Sequence, residues 1–429
     1  MKTKNTLIMA MLLMFALLAS ACSGSGGETK EPVNIRILLP FPEVVKAENQ
    51  IFEAAAQNFK KLNPNITITV VAQPGDRFLS EQDLKDRLNS NEPPDIIPFL
   101  PSSYNQNDVM TDLTNMPNFN EIDIDEQLLS IVNDGKELVW LPFSFDVNAL
   151  IYNKKMFDLA EIPYPEGDWT WEQYRDVSLK MNSAGVQTVP ALSYDLFTLG
   201  TLLASSGKDI VSPDGETYVG YLDSPETVDT VKWLNNIYKE VNANKEPIPI
   251  NWIGAWENFT SSKTAMFVGN YNSYSALKYN FKYDGFAAAP LPHFEGSSPS
   301  NKVINSYKFG IVKTSKHRQE AWQFLKYLFF TNNESTGDLA NYYLSPSKSI
   351  SETNGQRSDP DKAVFMEGLT HANGYANYPP MDEETSERFN SLLTADDDSL
   401  SKILHQIAEK LDQELARIEW DKERQSESP

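Results

Sequence analysis

The chain has 429 residues, enough for two or three domains with sizeable hydrophobic cores. It carries 37 Lys and Arg against 59 Asp and Glu, which gives a net charge of −22 at pH 7. Because nucleic acids and anionic lipid surfaces are bound by clustered Lys and Arg, this balance argues against both as partners. The solubility of an exported protein is sufficient to explain the acidity, and we expect a monomer.

The first 22 residues predict an export signal. Lys2 and Lys4 precede an apolar run of 12 residues at 7–18, shorter than the roughly 20 residues of a membrane-spanning helix. Small residues at 19–21 precede Cys22, the only cysteine, in an arrangement that resembles the bacterial lipobox. The resemblance implies a lipid anchor, such as palmitate, on Cys22, whereas the alternative is a free thiol in a secreted chain. We therefore predict a signal peptide over 1–22, a flexible tether over 23–31 and a position on the outer face of the cell membrane.

Strands and helices alternate after the tether. Residues 33–39 and 66–72 are rich in β-branched residues, and an amphipathic helical pattern separates them at 51–62. Ser80 and Asp83 predict a capped helix, and a short strand follows at 94–99. This order predicts a parallel sheet with right-handed crossovers. Because loops after the carboxyl ends of such strands face a ligand crevice, Asp76 and Arg77 are candidate ligand contacts.

Residues 141–158 predict a passage between two lobes. Polar Ser144 and Asp146 lie among Pro142, Phe143 and Phe145, and the apolar residues 147–152 have strand composition. Asn153 is placed to cap a helix that begins at the next residue. The chain on both sides of this segment is best explained as two lobes joined there.

The remaining chain is predicted to be α/β as well. Helices at 171–181 and 225–241 flank a strand-like stretch at 188–192 and build a second lobe, with Pro225 at a first helical position. A strand at 265–268 returns the chain to the first lobe, where 274–281 and 319–330 are predicted helices. From about residue 333 the pattern is mostly helical, and it ends in an amphipathic run at 400–418.

Several of these segments resemble one protein family in the same order. The run at 150–157 is similar to the L-x-Y-N-K-x-x-F motif of bacterial extracellular solute-binding proteins of the sugar-binding, maltodextrin-like class, the receptors of ABC importers. Further similarities follow over most of the chain: a Pro-rich loop and helix at 162–174, a K-x-A-M strand at 263–270, an A-P-L-P turn at 289–292, and a strand and E-A-W-x-F-L helix at 307–325. Tyr271 and Tyr274 stand where the family often has Trp.

The resemblance implies an α/β, two-lobed periplasmic-binding-protein-like fold of type II, in which each lobe is a mainly parallel sheet flanked by helices. Lobe 1 is expected over 32–143 plus 273–331, and lobe 2 over 144–272 plus 332–429. Hinge crossings are expected near Ser144, Asn270 and Thr331. The implied function is capture of a sugar or oligosaccharide by lobe closure, followed by delivery to ABC permease subunits, with no catalysis, metal or cofactor.

An exported hydrolase is the main alternative function, and it would require a catalytic motif. The four histidines, at 293, 317, 371 and 405, form no H-E-x-x-H or His-x-His pattern, and no G-x-S-x-G is present. A glycoside hydrolase needs only two carboxylates, so composition leaves that alternative open. A lipoprotein that binds a peptide or polyamine, and a subunit that serves a sensor system, are further alternatives.

The aromatic content favours a carbohydrate ligand. The chain has 8 Trp, 18 Tyr and 22 Phe. Pyranose rings pack their C–H faces on aromatic rings, while their hydroxyls need polar partners. Core packing is the alternative role for the aromatic residues, and hinge packing or surface hydrogen bonding is the alternative for candidates at the crossings and strand ends. Besides Asp76 and Arg77, the candidates are Ser144, Phe145, Asp146, Tyr194, Asp195, Trp252, Trp256, Asn270, Tyr271, Tyr274 and Tyr307.

Overall fold

The computed structural model describes residues 31–426 apart from 44, 76–78, 102–103, 134–136, 187, 189, 191, 193–194, 242–251, 306, 332, 377 and 380. Cys22, Asp76, Arg77 and Tyr194 therefore lie outside the described residues, as do the predicted signal and tether up to residue 30. In the described part of the chain, no helix has the length and apolar character needed to cross a membrane.

A first sheet of five strands has the order β2-β1-β3-β9-β4. Its strands are β1 (Val33–Pro42), β2 (Ile66–Gln73), β3 (Ile96–Ile97), β4 (Leu141–Pro142) and β9 (Lys308–Ile311). Strands β1, β2 and β3 are parallel, as predicted, and β9 runs antiparallel to β3 and β4.

A second sheet has the order β10-β8-β5-β6, with β7 also paired to β5. Its strands are β5 (Asp146–Asn153), β6 (Met266–Asn270), β7 (Phe286–Ala289), β8 (Asn301–Asn305) and β10 (Ala372–Tyr375). Strand β5 is antiparallel to β6, β7 and β8, and only β10 and β8 are a parallel pair. The expectation of a mainly parallel sheet is therefore wrong for the second lobe. Strand β5 runs away from the hinge, whereas β6, β7 and β8 run in the opposite direction.

Sixteen helices of the described residues surround the sheets. They are α1 (Lys46–Leu62), α2 (Glu81–Leu88), α3 (Gln106–Val109), α4 (Glu126–Val132), α5 (Lys154–Ala160), α6 (Trp171–Ser183), α7 (Leu196–Ala204), α8 (Pro225–Val241), α9 (Trp252–Thr260), α10 (Tyr271–Ser275), α11 (Arg318–Phe330), α12 (Glu334–Tyr342), α13 (Lys348–Thr353), α14 (Pro360–Thr370), α15 (Glu383–Ser391) and α16 (Asp397–Ser426). Two 3₁₀ turns (Leu113–Asn115, Phe119–Glu121) and a π-helical turn (Ala276–Asn280) complete the set.

Local sequence signals account for several helix starts. The Ser80 side chain accepts a hydrogen bond from the Asp83 amide, and the Asp83 carboxylate accepts one from the Ser80 amide, so the predicted capping box is confirmed. Asn153 accepts from the Met156 amide at 3.2 Å and caps α5, as predicted. These caps supply acceptors for amides that have no partner inside the helix.

Three buried clusters hold the molecule together. One lies in the first lobe, where Phe52 and Phe59 of α1 meet Trp322 and Phe324 of α11 beneath the first sheet. A second lies in the other lobe between α6, α7, α8 and the apolar face of α16. The third contains both Trp140, beside the first sheet, and Val147 of the second sheet, so apolar packing continues from lobe to lobe.

Three chain passages lie side by side between the sheets. The Phe143 amide donates to the Tyr307 carbonyl at 2.9 Å, and the Phe145 amide donates to the Leu344 carbonyl at 3.3 Å. The Phe143 and Tyr307 rings are 5.9 Å apart and stacked. The first passage (143–145), the second (at Tyr307) and the third (at Leu344) therefore form a narrow hinge. The first passage is hydrogen-bonded to each of the other two.

Two predicted lobe boundaries disagree with the observed strand pairing and core packing. The expected return to lobe 1 at residue 273 is wrong, because β7 and β8 pair with β5 in the second sheet. After Asn270 the chain turns into α10 on the same lobe, and it reaches the first sheet only at Lys308. The expected third crossing near Thr331 comes too early, since Leu339 of α12 belongs to the first-lobe core.

Candidate functional site

The two sheets face each other across the hinge. Strands β1, β2 and β3 end at the edge where β9 begins at Lys308, since Ile97 pairs with Gly310. In the second sheet Asp146, the first residue of β5, pairs with Asn305, the last residue of β8. The first two passages, of three residues or fewer, join these two edges, so the edges adjoin the cleft between the lobes. Ligands of open α/β sheets bind outside the carboxyl ends of the strands, which here is this cleft.

Ser144 and Tyr307 lie within the hinge. The Tyr307 amide donates to Ser144 Oγ at 3.3 Å, and the Ser144 amide donates to the Tyr307 carbonyl at 3.3 Å. Ser144 is buried, whereas Tyr307 is partly exposed and its ring lies 5.2 Å from that of Phe41 at the end of β1. The fold thus brings together two residues, Ser144 and Tyr307, that were each predicted from the sequence as ligand contacts. Contact of Tyr307 with a ligand remains a prediction.

Asp146 holds the start of helix α10. Its carboxylate accepts hydrogen bonds from the Tyr271 amide at 2.6 Å and the Asn272 amide at 3.1 Å. Burial raises the pKa of Asp146 to about 7, although bonds from the amides of Asn272, Tyr271 and Val147 act in the opposite direction. In this conformation the carboxylate thus stabilises the hinge, and its proposed bond to a solute hydroxyl stays a prediction.

The residues predicted at the second crossing are engaged in packing. Tyr271 and Tyr274 are each 1% exposed, and their rings stack with centroids 5.7 Å apart. The Tyr271 hydroxyl donates to the Asn341 carbonyl at 3.1 Å, and the Tyr274 hydroxyl donates to Asp361 Oδ2 at 3.0 Å. Burial raises the pKa of both phenols. These two side chains tie α10 to α12 and α14.

Asn270, Phe145 and Trp256 also contact protein groups. The Asn270 side chain accepts from the Ser273 amide at 2.9 Å and caps α10. Phe145 is buried in the cluster that joins the lobes. Trp256 is partly buried and lies 5.5 Å from the Phe281 ring, on a helix that packs against β6. The side chain of Trp252 lies outside the described part of the chain.

An aromatic pair lies on the second lobe, between the start of α7 and the segment after β10. Tyr378 follows the end of β10 by three residues, and its ring makes an edge contact with Phe197 at 5.3 Å. Phe197 is 51% exposed on the first turn of α7, which Asp195 caps by accepting from the Thr198 amide at 2.7 Å. Gly200 permits the close approach, since a Cβ there would lie 2.1 Å from the Tyr378 hydroxyl oxygen. We name Phe197 and Tyr378 the aromatic pair.

A charged pair lies beside the aromatic pair. Lys302 of β8 is buried, and its ammonium forms an ion pair with Asp209. Burial, and the negative charges of Asp209 and Asp195 nearby, raise the pKa of the Tyr378 hydroxyl, which therefore stays a neutral donor. Apolar ring surface next to fixed donors and acceptors is the combination that a sugar requires.

Sequence reasoning missed all four of these residues. Phe197, Lys302, Asp209 and Tyr378 stand in no motif that was recognised, and the fold brings them together from separate elements. One signal was available: Gly200 interrupts an apolar helical run, and such a glycine often marks a close packing contact.

The first-lobe wall includes amide side chains at the carboxyl ends of its strands. Gln73 is the last residue of β2, and Asn49 lies in the first turn of α1, where its Nδ2 donates to the Pro42 carbonyl at 2.8 Å. The Glu43 carboxylate accepts from the Gly75 amide at 3.3 Å in the same region. Among the residues that the structure describes, no group of three or more His, Cys, Asp or Glu is placed to hold a metal ion.

Solved structures of solute-binding proteins have this fold. The GacH receptor of Streptomyces glaucescens superposes with a TM-score of 0.69 at 15% identity, over 90% of this chain and 99% of that one. The sugar-binding protein MalE of Xanthomonas citri gives 0.69 at 14% identity, over 90% and 98%. Lmo0181 of Listeria monocytogenes, a structure in complex with cycloalternan, gives 0.65 at 18% identity, over 90% and 100%. The fold is thus the two-lobed, type II periplasmic-binding-protein fold.

A family model agrees with the fold and with the motifs. The model described as bacterial extracellular solute-binding protein matches residues 43–333, which is more than half of the chain. The matched segment contains the first two hinge passages and the aromatic residue Phe197. The chain belongs to the bacterial extracellular solute-binding protein family.

Proposed function

We propose that the protein captures a sugar or oligosaccharide between its lobes and delivers it, chemically unchanged, to an ABC permease. The observation that carries the proposal is the aromatic pair of the second lobe, which lies beside the ion pair of Lys302 and Asp209. The ring of Phe197 is half exposed and free to receive a pyranose face, and the charged pair supplies strong hydrogen-bonding partners for hydroxyls. Similar proteins whose structures are described with acarbose and with cycloalternan support a carbohydrate ligand.

Capture is proposed to work through closure of the lobes. A solute that touches both walls binds the closed conformation more tightly than the open one and shifts the equilibrium toward it. The bonded hinge passages allow this motion while they keep the lobes in register. The lipid anchor on Cys22 would hold the protein at the outer face of the membrane, close to the permease.

The proposal is tested with protein that lacks residues 1–22 and a panel of mono- and oligosaccharides, peptides and polyamines. We expect a rise in melting temperature with at least one carbohydrate, together with unchanged carbohydrate after prolonged incubation. A rise with peptides or polyamines alone would contradict the sugar assignment, and release of reducing sugar would indicate a glycoside hydrolase.

A further inference from the structure

Two asparagines of the chain, Asn354 and Asn373, are followed directly by glycine. An Asn-Gly pair is the sequence in which an asparagine side chain loses ammonia most readily. The reason is that glycine has no Cβ to obstruct the approach of its amide nitrogen to the side-chain carbonyl carbon. The two pairs lie in different surroundings, so the fold decides which of them reacts.

Asn373 lies in a bulge of strand β10. The pairing of β10 with β8 shifts between Ala372 and Tyr375, so Asn373 and Gly374 together face the single residue Lys302 of β8. A bulge leaves its extra residue outside the ladder of backbone hydrogen bonds. Because β10 is the outer strand of its sheet, one of its sides faces no other strand of the described residues. The backbone at Asn373 and Gly374 is therefore held less firmly than that of a regular inner strand.

The side chain of Asn373 is accessible to solvent. Asn373 is exposed, and Gly374 is partly exposed. The Nδ2 of Asn373 donates to the Ser300 hydroxyl at 3.1 Å, a bond between exposed groups. Water replaces such a bond at little net cost in free energy. The side chain can thus rotate toward the Gly374 amide, and ammonia that leaves it passes directly into solvent.

Asn354 lies at the end of helix α13, where both reacting groups are engaged. Its Nδ2 donates to the Ile350 carbonyl at 2.9 Å. The Gly355 amide, which holds the attacking nitrogen, donates to the Glu352 carbonyl at 3.0 Å. Gly355 has a φ of 68°, the left-handed conformation that ends many helices. Because ring formation here would break these bonds, Asn354 is a matched control within the same chain.

We propose that Asn373 is a site of spontaneous modification, at which the folded protein converts asparagine to aspartate and isoaspartate. The Gly374 amide nitrogen forms a bond to Cγ of Asn373, and the Cγ–Nδ2 bond breaks. Nδ2 takes the proton of the attacking amide and leaves as ammonia. Water then opens the resulting five-membered ring at one of its two carbonyls. Opening at Cγ gives aspartate, and opening at the main-chain carbonyl gives isoaspartate, in which the chain runs through Cβ and Cγ.

The modified residue adjoins the charged pair of the second lobe. A Cβ added to Gly374 would lie 3.1 Å from Lys302 Nζ, so the bulge closely approaches the ammonium that is paired with Asp209. Isoaspartate adds one main-chain carbon ahead of Gly374 and also a free carboxylate. Tyr378 of the aromatic pair follows four residues after Gly374. We therefore expect the conversion to weaken carbohydrate binding, and this part of the inference rests on the proposed function.

Mass spectrometry compares the two asparagines within one sample. Protein without residues 1–22 is incubated in warm, slightly alkaline buffer, both folded and in urea, and is then digested with trypsin. Asn354 and Asn373 fall on separate peptides, 349–357 and 363–388, and each conversion exchanges an NH₂ group for OH. Fragment ions assign the change within the second peptide.

We expect similar rates at the two asparagines in urea, where neither keeps its native bonds. In the folded protein Asn354 should react about fivefold more slowly than Asn373, or more slowly still, because at least one backbone bond must break first. Equal protection of the two asparagines by the fold, or stronger protection of Asn373, would overturn the inference whatever the protein binds.

Asn373→Gln tests the consequence for binding, because glutamine keeps the carboxamide but closes a larger ring far more slowly. After the same incubation, calorimetry should find fewer sites of full affinity in the unsubstituted protein, in proportion to the modified fraction, whereas Asn373→Gln should retain its sites. Equal numbers of sites in the two proteins would overturn the expected effect on binding. If the fresh protein binds no carbohydrate, the proposed function fails, while the rates at the two asparagines still decide the modification.

Discussion

At the scale of single residues, side-chain type was easier to predict than side-chain partner. Ser144 and Asp146 were expected at the hinge, and the structure places both there, whereas Tyr307 was expected only ahead of a late strand and lies beside Ser144 in the hinge. The carboxylate of Asp146 was expected to accept from a solute hydroxyl, but the described bonds come from amides 125 and 126 residues further along the chain. Local sequence carries no information on partners so distant, which is why hinge packing could not be separated from ligand contact.

The buried carboxyl of Asp146 predicts a pH dependence. Its pKa is about 7 in the folded protein, against 3.8 for an ordinary aspartate. The folded state therefore binds the proton more tightly, and this contribution to stability is full below pH 3.8 and is lost as pH rises through about 7. Asp146→Asn abolishes this titration. We expect its free energy of unfolding, relative to the unsubstituted protein, to increase on the order of a few kcal/mol between pH 4 and pH 8.

Urea unfolding at several pH values measures this difference. Asn keeps one acceptor oxygen for two amides, so a loss of stability that does not vary with pH is expected in addition. A difference between the two proteins that is constant from pH 4 to pH 8 would contradict the raised pKa.

The exposed ring of Phe197 predicts a loss of affinity without a loss of stability. Phe197→Ala should weaken carbohydrate binding by about 1 kcal/mol, since one stacking surface is removed, and should change the melting temperature little. Phe281→Ala is the control, because Phe281 is 64% exposed and packs on Trp256. Calorimetry that finds equal affinity for both variants would remove the aromatic pair from the binding site.

At the scale of elements, patterns in the sequence located the longest helices but not the pairing of the second sheet. Strand β5, its cap at Asn153 and helix α5 follow directly from local composition. The strands β7 and β8 were assigned to the wrong lobe because the motif at Gly269 marks the end of a strand and says nothing of its partners. Antiparallel pairing with β5 over a long sequence separation decides the lobe, and such pairing is set by tertiary packing rather than local propensity.

Helix α7 offers a prediction about close packing. In an ordinary helix Gly→Ala stabilises by about 1 kcal/mol, and Gly337 of α12, where a Cβ would lie 3.4 Å from its nearest neighbour, Asn354 Oδ1, should behave in this way. Gly200→Ala instead places a Cβ against Tyr378, so the ring must move. We expect Gly200→Ala to lower both the melting temperature and the carbohydrate affinity. A rise in melting temperature equal to that of Gly337→Ala would contradict the contact.

At the scale of the whole molecule, the two-lobed fold was predictable because ordered motifs extend over most of the chain. The motifs identify the family, and the family model and the solved structures agree with them. The aromatic pair and its charged neighbours were not predictable in the same way. Phe197, Tyr378, Lys302 and Asp209 come from separate elements, and only the fold shows that they are neighbours.

Closure of the lobes on a carbohydrate is the central claim, and small-angle X-ray scattering tests it most directly. The protein without residues 1–22 is measured alone, with the carbohydrate that raises its melting temperature, and with a sugar that does not. The account predicts a smaller radius of gyration with the binding sugar alone, because a solute held by both walls favours the closed conformation. Identical scattering curves with and without saturating ligand would contradict capture by closure.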